Sequence, residues 1–235
     1  DIPELTPKAI KAFCGKPQAE SMVLFGGSII AGIDVLASAM QKKAAKTYII
    51  AGGAGHTTET LRQKIHTCFP SLAVTGKSEA ELFSACLQAR YGLQVDFLET
   101  ASTNCGNNIT YLLNLLHKQQ IPLNSIILSQ DATMQQRMDA VLRKDVPDNT
   151  TIINFATYRT EIVIRDNTLC FAQDLPGMWS MERYITLLMG EIPRLRDDAN
   201  GYGPRGKNYL AHLDIPAAVN EAFAELQQIY ADKIR

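Results

Sequence analysis

The sequence predicts an α/β protein, a Rossmann-like, doubly wound parallel sheet in three αβα layers, with a small carboxyl-terminal helical lobe. Two observations carry this. Short apolar, β-branched runs alternate with stretches whose apolar residues recur at helical spacing, the pattern of a parallel sheet covered on both faces. Several of those runs also stop at glycine or small polar clusters, as in Ile49-Ile50-Ala51-Gly52-Gly53-Ala54-Gly55-His56-Thr57-Thr58. Ligands of open α/β sheets sit at such carboxyl strand ends. The expected boundaries are 18–172 for the sheet domain and 173–235 for the helical one, with an amino-terminal helix within 3–15 packing on the latter.

Met22–Phe25 reads as a first buried strand ending in Gly26-Gly27-Ser28, and Ile33, Leu36 and Met40 stripe the helix after it. Thr47–Ala51 is a second strand, followed by a short helix carrying Leu61 and Ile65. Leu72–Thr75 reads as extended and leads to Ser78 and Glu81, spaced as a capping box before Leu82, Phe83, Cys86 and Leu87. Val95–Leu98, Ile126–Ser129 and Thr151–Phe155 are further strands. Helices marked by Ile109, Leu112, Leu113 and Leu116, and by Met134, Met138, Val141 and Leu142, separate them. Beyond Leu175 only helical stripes remain, at Met181–Leu188 and Val219–Tyr230. Trp179, Tyr184 and Phe223 read as core of that lobe.

Bulk properties narrow the function classes. A formal charge of −1 over 235 residues gives no field to steer nucleic acid or an anionic membrane, so the expected partner is a small molecule. No apolar run approaches the roughly 20 residues that span a bilayer, and the first residues lack a basic-then-apolar signal pattern. Five scattered cysteines without a CxxC pair suit a reducing compartment, hence the cytoplasm. The four histidines are isolated, so no metal is expected.

The polar clusters mark the candidate site. Gly26, Gly27 and Ser28, and Gly52, Gly53, Gly55, His56 and Thr57, stand at two strand ends, where glycine permits close backbone approach and a helix start offers N–H donors to an anionic or polar ligand. The dinucleotide fingerprint fails, because its third glycine is Thr58 and no acid ends the second strand. Gly76-Lys77-Ser78 resembles the end of a P-loop, but Ser71 stands where the first glycine is needed. Glu79 is either a ligand contact or a complement to the helix dipole. Glu99, Ser102, Thr103, Asn104, Asn107 and Asn108 crowd the next strand end, more polar groups than one helix cap requires. Cys105 follows at a helix start, where a thiol pKa can fall. Gln130, Asp131 and Thr133 repeat the theme, with Arg137 one turn on, either an anion contact or a surface arginine. The segment Gly190–Lys207, with Arg194, Arg196, Tyr202 and Arg205, is expected to form a lid or wall over the sheet edge. The catalytic candidates are Glu79, Glu99, Asp131 and His56.

Taken in order, several pieces resemble the YdcF-like family, a branch of the bacterial SanA/YdcF/ElyC-type family of unknown function. They are Gly26-Gly27, Ala51–Thr57, Thr75–Ala80, Glu99–Gly106, Gln130–Gln135, Pro193–Asp198 and Gly201–Gly206. The resemblance implies a Rossmann-like domain with a small helical domain and a nucleotide or adenosyl ligand, S-adenosylmethionine being the one proposed for such proteins. It implies no particular reaction. Relatives with a membrane anchor are tied to the bacterial envelope, which makes the periphery of the inner membrane a second expected location. The leading expectation is an enzyme-like binder of such a ligand. The alternatives are a non-catalytic sensor or adaptor and a hydrolase of phosphorylated precursors.

Overall fold

The computed structural model describes residues 2–27, 29–175 and 177–233. Its sheet contains β1 (Ala19–Phe25), β2 (Ala45–Ala51), β3 (Phe97–Glu99), β4 (Ser125–Ser129) and β5 (Thr151–Asn154), in the order β3-β2-β1-β4-β5. Each neighbouring pair is parallel, and central β1 aligns Val23 with both Ile49 and Leu128. Every residue of β1 is buried, which is why Met22–Phe25 reads as an unbroken apolar run.

Alternate residues of the strands feed two cores, because successive side chains point to opposite faces. Met22, Leu24, Tyr48 and Ile50 pack with Ile33 and Leu36 of α2 (Ala31–Gln41), Leu61 and Ile65 of α3 (Thr58–Cys68), and Phe83 and Leu87 of α4 (Glu79–Tyr91). Val23, Phe25, Ile49 and Leu128 pack with Ile109 and Leu112 of α5 (Cys105–Lys118) and Met138 and Leu142 of α6 (Gln135–Asp145). This is the three-layer, Rossmann-like arrangement.

The structure departs from the sequence reading in four places. Residues 72–75 form no strand, because β3 already occupies the outer edge of β2. The third strand is only Phe97–Glu99, since the Asp96 carboxylate accepts the Tyr48 N–H at 2.7 Å where a strand carbonyl would. A hairpin of β6 (Ile162–Arg165) and β7 (Thr168–Phe171) was not anticipated. Finally, α1 (Pro7–Cys14) buries Ile10 in the first core against the sheet, where the expectation put it with the carboxyl-terminal helices. After the hairpin, α7 (Met181–Leu195) and α8 (Ala217–Ile229) pack on one another, while Leu195 and Leu210 sink into the second core.

Candidate functional site

From β1 the chain runs outward to β2 and β3, then returns to β4 on the other side of β1. The crevice beyond the carboxyl ends of β1 and β4 is therefore the topological switch point, the usual ligand site of such sheets. A cavity of ≈ 190 Å³ lies there. Gly26 and Gly27 after β1, Gly52–Thr57 after β2, Ser102–Asn104 after β3 and Gln130–Asp131 after β4 contribute to its lining. Ser28 lies outside the described residues.

The glycines serve the close packing of loop on loop. A Cβ at Gly53 would lie 2.1 Å from the Ser102 carbonyl oxygen, and one at Gly26 would lie 2.4 Å from Glu79 Oε2. The helix starts behave differently from the sequence expectation. The Glu79 and Ala80 N–H groups donate to the Gly53 and Gly52 carbonyls at 2.9 and 2.8 Å, and Ser78 Oγ accepts from the Glu81 N–H. These first donors of α4 are thus consumed internally. At α3, the Thr57 and Thr58 hydroxyls donate to Glu79 Oε1 at 3.1 and 2.8 Å. The carboxylate beside this threonine pair belongs to the protein itself.

Glu79 is the chemically open group. Its residue lines the cavity and is only 8% exposed, and Oε2, beside Gly26, makes no hydrogen bond among the described residues. Burial pushes its carboxyl above the ordinary carboxylate range, against the opposing pull of the Thr58 and Thr57 hydroxyls and the Arg62 charge. A buried carboxylate with one free oxygen can accept a proton or bind a hydroxyl, amine or other cationic group.

Asp131 is fully engaged. Oδ1 accepts from the Thr133 N–H and hydroxyl, both at 2.9 Å, and from the Tyr158 hydroxyl at 2.8 Å; Oδ2 accepts from Trp179 Nε1 at 2.6 Å. It holds Trp179, which lines the cavity with Leu187 and also packs with Tyr184 into a third apolar cluster around Ile29, Ala31 and Tyr158, as its core reading expects. Lys64 lies 4.6 Å from the Trp179 ring centroid and Arg183 5.8 Å from it. Gln130 clasps the two central strand ends, donating to the Gly26 carbonyl at 3.1 Å and accepting from the Asp131 N–H at 2.7 Å.

Glu99 does not line the cavity. Oε1 accepts from the Ala101 and Ser102 N–H groups at 2.6 and 2.9 Å, bracing the turn after β3, and Oε2 is buried with no partner among the described residues. Ser102 Oγ accepts from the Gly53 N–H and donates to Asn108. Asn104 caps α5 through the Asn107 N–H, and Thr103 donates to Asn107 Oδ1. His56 stands exposed at the rim. Cys105 packs its sulfur against that of Met138, and burial pushes the thiol up to about 11, opposite to the activation its helix-start position suggested.

The arginines expected over the sheet edge do not line this cavity. Arg137 forms a two-pronged pair with Glu191, Nε to Oε2 at 2.7 Å and Nη2 to Oε1 at 2.9 Å. Arg194 donates to the Gly190 carbonyl and flanks Glu191, Arg196 lies over the Phe223 ring, and Arg205 pairs with Asp197 at 3.3 Å. These contacts tie Gly190–Lys207 to α6, to α8 and to itself, and Trp179 and Leu187 line the crevice in its place. Arg137, Asn107 and Tyr202 line a second cavity of ≈ 510 Å³, which shares Asn104 and Cys105 with the first.

Fold and site together define an open, doubly wound α/β protein with a carboxylate-bearing cavity at its switch point. No protein-family model matches the chain. No helix among the described residues is long and apolar enough to cross a membrane, and no group of three or more His, Cys, Asp or Glu among them is placed to hold a metal ion.

Proposed function

We propose that the chain is an enzyme-like, cytoplasmic protein that binds an adenosyl sulfonium ligand of the S-adenosylmethionine type at the switch point. The observation that supports this most is the free Oε2 of buried Glu79 in a lining that carries a second carboxylate, Asp131, and no lysine or arginine among its described residues. Such a lining suits a sulfonium or amine. The phosphates of a nucleotide or of a phosphorylated precursor would meet two carboxylates there. At ≈ 190 Å³, below the roughly 300–1,000 Å³ of sites that enclose a whole ligand, the cavity takes the charged part and leaves the remainder beyond its mouth. Membership of the YdcF-like family belongs to the same proposal.

The test is calorimetric titration of the purified chain with S-adenosylmethionine, its demethylated product and ATP. S-adenosylmethionine should bind, Glu79→Gln should weaken it by about tenfold or more, and ATP should not displace it. Saturable ATP binding without S-adenosylmethionine binding overturns the reading. A second reading, a non-catalytic sensor, is favoured by the Trp179–Asp131 bond, which couples the segment leading into α7 to the cavity. Binding without turnover, accompanied by altered protection of 177–187 from hydrogen exchange, would select it.

A further inference from the structure

The second cavity has the opposite chemistry to the first. It lies between the start of α5, the outer face of α6 and the turn at Asn208-Tyr209, and its lining contains Arg137 and Lys144 against one acid, Asp145. The hydrogen bonds around it leave donors over. Arg137 commits Nε and Nη2 to Glu191, and Nη1 makes no hydrogen bond among the described residues. Asn107 spends its carbonyl oxygen on Thr103 and Asn104, which leaves its amide N–H₂ unpaired among those residues. Lys144 donates to the Asn208 carbonyl, with two further ammonium protons in reserve. Tyr202 and Tyr209 meet edge to face at 5.3 Å and form an aromatic wall.

We propose that this cavity is a binding site for an anionic group, phosphate or carboxylate, on a small molecule, held by Arg137 Nη1, Lys144 and the Asn107 amide. Surplus donors around two cations in a half-enclosed space are what an anion requires, since each charge-assisted hydrogen bond is about twice as strong as a neutral one. Glu191 does not cancel the site. It fixes the guanidinium plane through the two nitrogens it engages, so that Nη1 is held in place instead of swinging into solvent. The wall shared through Asn104 and Cys105 puts this anion next to whatever occupies the switch-point cavity. The inference does not depend on the identity of that first ligand.

The experiment is a titration of the ¹⁵N-labelled chain in chloride buffer with inorganic phosphate and, separately, with malonate, followed by amide shifts. Saturable shifts confined to 104–110, 137–145 and 202–209 are expected from at least one anion, and the tighter of the two shows whether phosphate or carboxylate is preferred. Lys144→Gln, a substitution at an exposed position, should weaken binding several-fold, and Asn107→Asp, which exchanges a donor for a like charge, should abolish it. Both variants must keep the wild-type spectrum elsewhere. Absence of saturable shifts with both anions, shifts centred on Gly26 and Gly52 instead, or unchanged binding in Asn107→Asp would overturn the proposal.

Discussion

The two cavities share a wall and are built in opposite ways. The switch-point cavity is made by backbone: glycine loops lie on one another, their carbonyls take the first N–H groups of α4, and one carboxylate is left open. The second is made by long side chains reaching across from α5, α6 and the turn near 208. A backbone-built site tolerates almost no added volume and holds its shape without ligand. A side-chain-built site rests on charge pairs, and its weak point is the removal of one partner.

Glycine substitutions should separate the two cavities by the largest margin. Gly53→Ala places a methyl 2.1 Å from the Ser102 oxygen and 2.8 Å from the Thr100 oxygen, both backbone atoms that cannot step aside. It should cost about 4 kcal/mol or more in urea denaturation, in the range reserved for severe steric conflict. Gly106→Ala, at the second residue of α5 in the other cavity, meets only Asn104 Oδ1 at 3.4 Å. Helix propensity should keep that variant within about 1 kcal/mol of wild type or slightly above it. Equal losses for the two would refute the distinction.

The next effect lies in the second cavity. Arg137→Met leaves Glu191, 4% exposed, with only the more distant Arg194 as counter-charge, and should destabilise by about 3 kcal/mol. Adding Glu191→Met should restore most of that loss, because removing both charges also removes their desolvation penalty. A double variant no better than Arg137→Met alone would mean that the pair is not what supports this wall.

How much of this was legible in the chain follows from the range of each interaction. The Ser78–Glu81 capping box was readable, and a cap for α5 was readable to within Ser102–Asn104, because such partners lie three residues apart. The glycine clusters were readable because strand ends are local events. The Glu79 bond to Thr58 spans 21 residues, Trp179 to Asp131 spans 48 and Arg137 to Glu191 spans 54, and composition and periodicity are silent at those separations. The sequence therefore left Glu79 open between a ligand contact and a dipole-complementing acid, and it marked Trp179 as core without showing that the same ring lines a cavity. The β6–β7 hairpin is a different failure. The β-branched run Ile162-Val163-Ile164 leads through Arg165 to Asp166-Asn167, which take φ of 48° and 59°, a mirror-image turn whose composition was there to be read.

Glu79→Gln should act with the opposite sign to the first two substitutions. The folded pKa of Glu79 is raised, so its favourable contribution is complete below the unfolded value, near 4.5, and is lost as pH rises through the folded one. Above the folded value the native protein holds a buried charge that glutamine would not. The variant should melt higher by about 2–4 °C at pH 7, and the gap should close as pH falls to 4, measured by calorimetry across that range. A gap that widens on acidification would show that the threonine hydroxyls outweigh burial.

The smallest effect tests the wall itself and leaves stability untouched. With its thiol pushed up to about 11, Cys105 is thiolate in only about one molecule per thousand at pH 8, and its sulfur is packed on Met138 between the two cavities. Cys68 stands exposed at the end of α3. Iodoacetamide at pH 8, followed by peptide mass mapping, should therefore modify Cys68 promptly and reach Cys105 only in denaturant. Modification of both at similar rates in native buffer would mean that the α5–α6 seam opens in solution and that the two cavities communicate. A ligand held at Glu79 would then have a direct path to the Arg137 side, and anion binding there should slow the labelling of Cys105.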